Sequence, residues 1–438
     1  MEHATQRVAS VTSTSSATSI APAISLIPAT SRISRTDVSE ANRSRILWHL
    51  YRHGVSSRAQ IAKALHLTPA AITKITAKLI DAGIVVETGE IKGSKRRRSI
   101  GLAINASRFH FIGVKFARSL VQIGVFDLAG NRVSLVDLPT VDDSTVNEAV
   151  TAIHQNVDQL LAHDPNVVSI GMAVPGPYLR ETGRAALVSS MPHWRNINFI
   201  EEFAQRSPVP LFIEQDARAG ALAQRLFGEP NGTGSLAYYL LGEGIGLGVI
   251  DGGELVYGNL GAATELGHVS IDINGRPCEC GNVGCLERYC SAGAIHDEID
   301  KRGIVAGSKT MTHREACARL FQASQQGDKA ARELVREVGR YAGYGCVTVC
   351  NTFNPSRIVI GDIGAMGGDI LLEAIREVVR QRVIPEIADT TDISLSALPT
   401  DATVLGAAAA AITRFLDHPM RFLGDTTNHA DQKTPKSA

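Results

Sequence analysis

The chain has 438 residues, with 44 Lys or Arg balanced by 44 Asp or Glu. Hydrophobic residues make up 44% and charged residues 20%. That composition excludes a collagen, a coiled-coil rod and a wholly disordered chain, and the length allows for about two to four domains. No stretch approaches the ~18 uninterrupted apolar residues of a membrane helix, and the alanine run at 407–411 is short and lies beside Arg414. A cytoplasmic protein with no membrane partner is expected.

The balanced charge hides a division. Residues 38–105 carry twelve basic against four acidic side chains, a net of +8, and residues 106–438 carry 29 against 38, a net of −9. A basic block on an acidic body points to one segment that meets a polyanion and another that does not. The seven cysteines are odd in number, and three fall within eight residues. This favours a reducing compartment and a local metal site over a disulfide framework.

In chain order, residues 1–37 open the molecule as a Ser/Thr-rich tail, with fourteen Ser or Thr in the first 36 positions. Too few large apolar residues are present to offset the entropy of ordering, so disorder is expected. Residues 38–105 predict three short helices and a hairpin. The first helix runs from about Glu40 to His53 with Ile46, Leu47, Leu50 and Tyr51 on one stripe. The second opens at Ser57, where Ser57 and Gln60 have capping-box spacing. The third opens at Thr68-Pro69, an N-cap followed by a proline at the first helical position, and sets Ile72, Ile75, Leu79 and Ile80 inward. Strands follow near 84–87 and 98–102, joined by a loop carrying Lys92, Lys95, Arg96 and Arg97.

Three helices and a hairpin with a basic tip form the layout of a winged helix-turn-helix, whose third helix enters the DNA major groove. Ala70, Thr73, Lys74 and Ala77 then face outward, with Thr68 at the helix start. Small residues permit close approach, and Thr and Lys reach base edges or phosphates. Ser57 and Arg58 stand at a helix N-terminus suited to phosphate. Lys92, Lys95, Arg96, Arg97 and Arg98 supply sequence-independent attraction to operator DNA.

From Phe109 onward, apolar strands alternate with helices, an α/β pattern. Strands are expected at 110–115, 121–127, 167–173, 210–213, 236–241, 245–250 and 357–361, and helices near 144–163, 198–206, 216–227, 328–353 and 368–383. His268 precedes Cys278, Cys280 and Cys285, and glycines at 281 and 284 allow tight turns among the thiols. One imidazole and three thiols complete a tetrahedral set with no open position, so structural zinc is expected. Cys290, Cys317, Cys346 and Cys350 have no such arrangement and are expected in the core.

The segment from Glu265 to Glu287 resembles the signature of the ROK family (repressors, open reading frames and sugar kinases). Further matching stretches are Pro175-Gly176-Pro177, Glu214-Gln215-Asp216-Ala217, Gly242 to Gly248, Asn354 to Gly361, and Leu405-Gly406-Ala407-Ala408. The resemblance implies an α/β fold of two actin-like/RNase H-like lobes behind the winged helix-turn-helix. The division would be 38–105 for the DNA-binding domain, 106–230 plus 403–417 for lobe 1, and 231–402 for lobe 2 with the zinc site. A loose tail would follow at 424–438. It also implies a sugar or sugar-phosphate effector in the cleft, held by Gln215, Asp216, Glu265, His268 and Glu287. Family members usually have Asn at the position of Gln215.

A ROK kinase would need a first phosphate loop resembling Asp-x-Gly-Gly-Thr, and the matching stretch here is Lys115-Phe116-Ala117-Arg118-Ser119. The second loop normally reads Gly-Thr-Gly and here carries Glu243; the third reads Gly361-Asp362-Ile363-Gly364. Ala and Arg cannot allow the close backbone approach that glycine gives a phosphate. Asp216 resembles the kinase base, yet catalysis is not expected. The reading is a sugar-responsive repressor acting as a homodimer or homotetramer, with an ATP-dependent sugar kinase carrying a DNA-binding module as the alternative.

Overall fold

The computed structural model describes residues 35–92, 98–117, 121–186, 192–228, 234–398 and 402–423. The two expected tails therefore lie outside the described residues, except that the first helix begins at Arg35, inside the segment assigned to the N-terminal tail.

The N-terminal module comprises α1 (Arg35–His53), β1 (Ser56–Ser57), α2 (Arg58–Leu65), α3 (Pro69–Asp81), β2 (Val85–Lys92) and β3 (Arg98–Ile104). The three strands pair in the order β1-β3-β2. Ser57 caps α2 in a reciprocal capping box with Gln60, and Thr68 caps α3 ahead of Pro69. Ile46, Leu47, Leu50, Ile61, Ile72, Ile75 and Leu79 form the module's core, whereas Tyr51 and Ile80 are half-buried at its margin. Both hairpin strands are longer than expected, and Lys92 pairs with Arg98 at the last described rung. Lys92 therefore belongs to a strand rather than to the loop, while Arg98 opens β3 as expected.

Lobe 1 contains β4 (His110–Lys115), β5 (Val121–Asp127), β6 (Arg132–Leu138), α4 (Val146–His163) and β7 (Val167–Val174). A small ribbon of β8 (Tyr178–Leu179) and β9 (Arg184–Ala185) precedes β10 (Leu211–Gln215) and α5 (Asp216–Phe227). The sheet order is β10-β7-β4-β5-β6, with β10, β7 and β4 parallel. Lobe 2 contains β11 (Leu236–Leu241), β12 (Ile245–Asp251), β13 (Glu254–Leu255), α6 (Glu287–Cys290), α7 (Ala292–Arg302), α8 (His313–Gln325), α9 (Lys329–Phe353), β14 (Arg357–Asp362), α10 (Gly368–Arg382), α11 (Pro385–Ala388) and β15 (Asp392–Leu395). Its sheet order is β13-β12-β11-β14-β15. Cys290, Cys317, Cys346 and Cys350 are all buried in its core.

The final helix, α12 (Ala402–Asp417), returns to lobe 1 and packs with α5 between the two sheets. Small residues allow this close fit. Gly113 and Gly171 are paired neighbours on β4 and β7. A Cβ on Gly113 would fall 2.3 Å from the Val404 carbonyl oxygen, and one on Gly171 only 1.7 Å from that of Ala407. The alanine run is thus a packing surface. At its far end α12 joins Phe415 and Leu416 to Ile46, Leu47 and Leu50 of α1 in one core. Trp48 Nε1 donates to Asp417 Oδ1 at 2.9 Å across that junction.

Candidate functional site: the cleft between the lobes

The carboxyl ends of parallel strands open onto a crevice, the usual place for a ligand in such sheets. Here a cavity of about 400 Å³ lies there, lined by Lys115, Gln215, Asp216, Glu243, Glu265, His268, Glu287, Asp362 and Thr403 among others. All five expected sugar-binding residues therefore meet at one cleft.

Asp216 begins α5 directly after β10, and its Oδ1 accepts from the Ala217 N–H at 2.7 Å. Burial pushes its carboxyl up to about 6, against the pull of the Lys115 and Arg218 charges and the Ala217 hydrogen bond. Gln215 caps the same helix, its Oε1 accepting from the Arg218 N–H at 3.0 Å. A Cβ on Gly176 would come 2.8 Å from Gln215 Cγ, so glycine there leaves room for the longer side chain.

Glu265 enters from lobe 2. Burial raises its carboxyl to about 7, with Arg218 opposing the shift and Asp216 and Glu287 adding to it. Its Oε1 is buried with no protein partner, an acceptor suited to a ligand hydroxyl. Glu287 Oε2 accepts from the Ile245 N–H at 3.1 Å. The missing side chain of Gly244 makes this possible, because a Cβ there would stand 2.6 Å from Glu287 Oε2.

Beside these acids, His268, Cys278, Cys280 and Cys285 place their ligand atoms within 4.8 Å of one another. Cys280 and Cys285 Sγ are 3.6 Å apart, and His268 Nδ1 is 3.8 Å from Cys278 Sγ. A tetrahedral metal with bonds of about 2.0–2.3 Å sets ligand atoms about 3.5–3.8 Å apart, so the donor set fits such an ion. With Nδ1 toward the thiols, the other nitrogen of His268 is left for the cleft that the residue lines. A metal at Nδ1 would fix the tautomer and ring orientation.

Several participants were not singled out from the sequence. Arg218 is fully buried on α5, its Nε bonded to Glu214 Oε1 at 2.6 Å, with both terminal nitrogens lacking a protein partner. The i,i+4 spacing of Glu214 and Arg218 across the strand-to-helix turn was the available signal. His313, whose Nδ1 lies 2.9 Å from Glu243 Oε2, and Arg314, bonded to Asp362 Oδ1 at 2.6 Å, come from α8, which the sequence reading did not identify.

The candidate DNA-facing residues separate into three groups. Thr68, Ala70, Thr73 and Lys74 are exposed along α3. Ser57 is buried and its hydroxyl is used in the α2 cap, while Arg58 is held by Glu87 at 2.8 Å and Thr76 at 3.3 Å. The capping box uses the Ser57 hydroxyl, while the Arg58 guanidinium shares a partly exposed ion pair with Glu87. Lys92 and Arg98 lie on the strands, and Lys95, Arg96 and Arg97 fall outside the described residues.

Together these features define a winged helix-turn-helix fused to a two-lobed, actin-like domain with a polar cleft. The ROK family model matches residues 111–414 and the MarR family model residues 40–88. The chain belongs to the ROK family. It is 28% identical to the xylose repressor of Caldicellulosiruptor bescii, covering 88% of this chain and 99% of the relative. It is also 28% identical to the DNA-binding transcriptional repressor Mlc of Escherichia coli, over 81% of this chain and 89% of Mlc. Among solved structures, a ROK family transcriptional regulator homologous to E. coli Mlc matches with a TM-score of 0.72 at 27% identity, covering 88% of this chain and 99% of that one. A ROK glucokinase from Streptomyces griseus, in complex with glucose and AMPPNP, matches with a TM-score of 0.61 at 26% identity, over 68% of this chain and 98% of the other.

Proposed function

We propose that this chain is a sugar-responsive DNA-binding transcriptional repressor, and that its ROK domain binds a sugar or sugar phosphate without transferring phosphate. The observation that carries this reading is the meeting of Asp216, Glu265, Glu287 and His268 at one cavity. Carboxylates accept several hydroxyl hydrogen bonds when ionised and can donate one when protonated, and a hexose offers hydroxyls on every side. Zinc held by His268, Cys278, Cys280 and Cys285 is a structural ion that orients His268 toward the ligand. The exposed face of α3, with Thr68, Ala70, Thr73 and Lys74, reads the operator, and the basic hairpin from Lys92 to Arg98 lies along its backbone. Relatives named as xylose and N-acetylglucosamine repressors support the assignment.

Operator half-sites lie about one helical turn apart, or a multiple of it, which suits a homodimer or homotetramer. Effector control requires that the ligand bind the two states differently. Operator affinity would be measured against a panel of sugars and their phosphates. A change of tenfold or more with one of them supports the reading, and no change with any would reject it.

Sugar kinase activity is the second reading, favoured by Asp216, whose carboxyl is raised to about 6, within the range of a general base. Coupled ADP release on hexoses, abolished by Asp216→Asn, would establish it.

A further inference from the structure

Two of the residues that depart from a phosphate-binding pattern, Lys115 and Asp362, meet in the cleft. Lys115 ends β4 in lobe 1 and Asp362 ends β14 in lobe 2, and both side chains are almost fully buried. Lys115 Nζ stands 4.0 Å from Asp362 Oδ2, while Arg314 bonds the other carboxylate oxygen, Oδ1, at 2.6 Å. The ammonium also acts on Asp216, whose charge and that of Asp362 repel each other. Lys115 thus stands between carboxylates of both lobes, sharing Asp362 with Arg314 of lobe 2.

The backbone is shaped to present this group. Asp362 has φ 55° and ψ −132°, a conformation that is essentially glycine territory. Room for its carboxylate comes from Gly242, where a Cβ would stand 2.7 Å from Asp362 Oδ2. A strained residue facing a space reserved by a glycine, and bound from both lobes, marks a built contact rather than a chance surface pair. Each member also has a partner in its own lobe, Asp216 for Lys115 and Arg314 for Asp362, so losing either side chain removes the same cross-lobe attraction, and losing both removes nothing further from it.

We propose that Lys115 and Asp362 form an ion-pair clasp across the cleft, which holds the lobes together without a nucleotide and positions the cleft walls for the sugar. The clasp rests on the sugar-receptor reading for its consequence, but not for its existence. Lys115 and Asp362 are positioning residues here, acting through the closure of Asp216 and Glu265 about the ligand.

The test uses the full chain and the variants Lys115→Met, Asp362→Asn and their combination. Calorimetric titration with D-xylose, D-glucose and N-acetyl-D-glucosamine reads affinity, and small-angle scattering reads the separation of the lobes. Each single variant is expected to weaken sugar binding tenfold or more and to increase the radius of gyration. The double variant should lose no more than the worse single. Additive losses, or scattering unchanged in all three variants, would overturn the clasp. Magnesium-ATP at millimolar concentration should leave wild-type sugar affinity within twofold; a larger gain would show that a nucleotide, not the ion pair, closes the cleft. If none of the three sugars binds the wild type, the sugar reading loses its support while scattering still decides the clasp. Because Asn has the shape of Asp without its charge, Asp362→Asn replaces the side chain isosterically and reads the charge.

Discussion

Replacing Trp48 with alanine should uncouple the winged helix from the body of the protein. The indole hydrogen-bonds Asp417 at 2.9 Å and lies 4.9 Å from the guanidinium carbon of Arg225 on α5, whereas its 5.0 Å contact with Arg52 stays within α1 and adds nothing to docking. A hydrogen bond to a charged group contributes about 1.5–3 kcal/mol, less where water competes. Each exposed cation–π contact adds about 0.5–1 kcal/mol. Fully buried tryptophans cost about 3–5 kcal/mol on truncation, and Trp48 is only half-buried. The loss is therefore about 2–3 kcal/mol, or roughly 30- to 150-fold in the docking equilibrium of α1 on α12. Amide exchange of α1 should accelerate by about that factor relative to β7, while operator affinity without effector stays within a few-fold, since α3 presents its exposed face elsewhere. Under the repressor reading, the response of operator binding to sugar should shrink. Trp48→Phe, which keeps the ring and loses the N–H, should fall between. Unchanged α1 exchange and a full sugar response in Trp48→Ala would refute the docking role.

Purified wild-type protein should contain one zinc per chain, and Cys285→Ser, altering a fully buried ligand, should abolish it. That variant should melt about 5–10 °C lower, as expected for about 2–3 kcal/mol in a domain of this size. Metal-free wild type melting normally would contradict the site. Gly171→Ala should cost at least about 3 kcal/mol, the upper end for overpacking, because relieving a 1.7 Å approach to Ala407 requires α12 to shift. Gly293→Ala, whose Cβ would meet His313 at an ordinary 3.5 Å, should melt close to wild type, and equal melting of the two would undermine the packing account. Asp216, raised to about 6 by burial, binds its proton more tightly folded than unfolded. Its contribution should thus fall as pH rises from about 4 to about 6, by at most about 3 kcal/mol, and level off above. Asp216→Asn should flatten that part of the stability profile, and an unchanged profile would exclude Asp216 as its source.

The expected strands at 110–115, 121–127 and 236–241 coincide with β4, β5 and β11, since each is a short apolar run bounded by turn residues. Both N-terminal caps were equally readable, because Ser57-Gln60 and Thr68-Pro69 are local signals. The metal donors are ordered by spacing within eighteen residues, so their convergence was accessible as well. The missed elements have different causes. Helix α7 buries His296 and Glu298 alongside Ile295 and Ile299, which blurs its apolar stripe, and β6 is an edge strand with most side chains exposed. The Lys115–Asp362 contact joins the ends of two distant strands. Nothing local to either residue indicates that partner. Ser57 shows the converse: its cap was correctly placed, and that same cap uses the hydroxyl expected to serve DNA.

The alanine run, expected from the sequence to return to lobe 1, has a mechanical consequence. Helix α12 lines the cleft with Thr403 in its first turn and holds Trp48 through Asp417 in its last. Its sixteen residues span about 24 Å. Along that length it rests on Gly113, Gly171 and the backbone of Ala219, with few long side chains to absorb a displacement. Close-packed interiors transmit strain rather than dissipate it. A tilt of about 5° at the cleft would therefore move the far end by about 2 Å over that 24 Å length. Direct hydrogen bonds to base edges span about 3 Å, so a shift of this size carried into α3 would break them. Under the sugar-receptor reading, the cleft needs no large domain opening to release an operator: a small rotation of one stiff helix suffices, provided that α1 stays docked on its end.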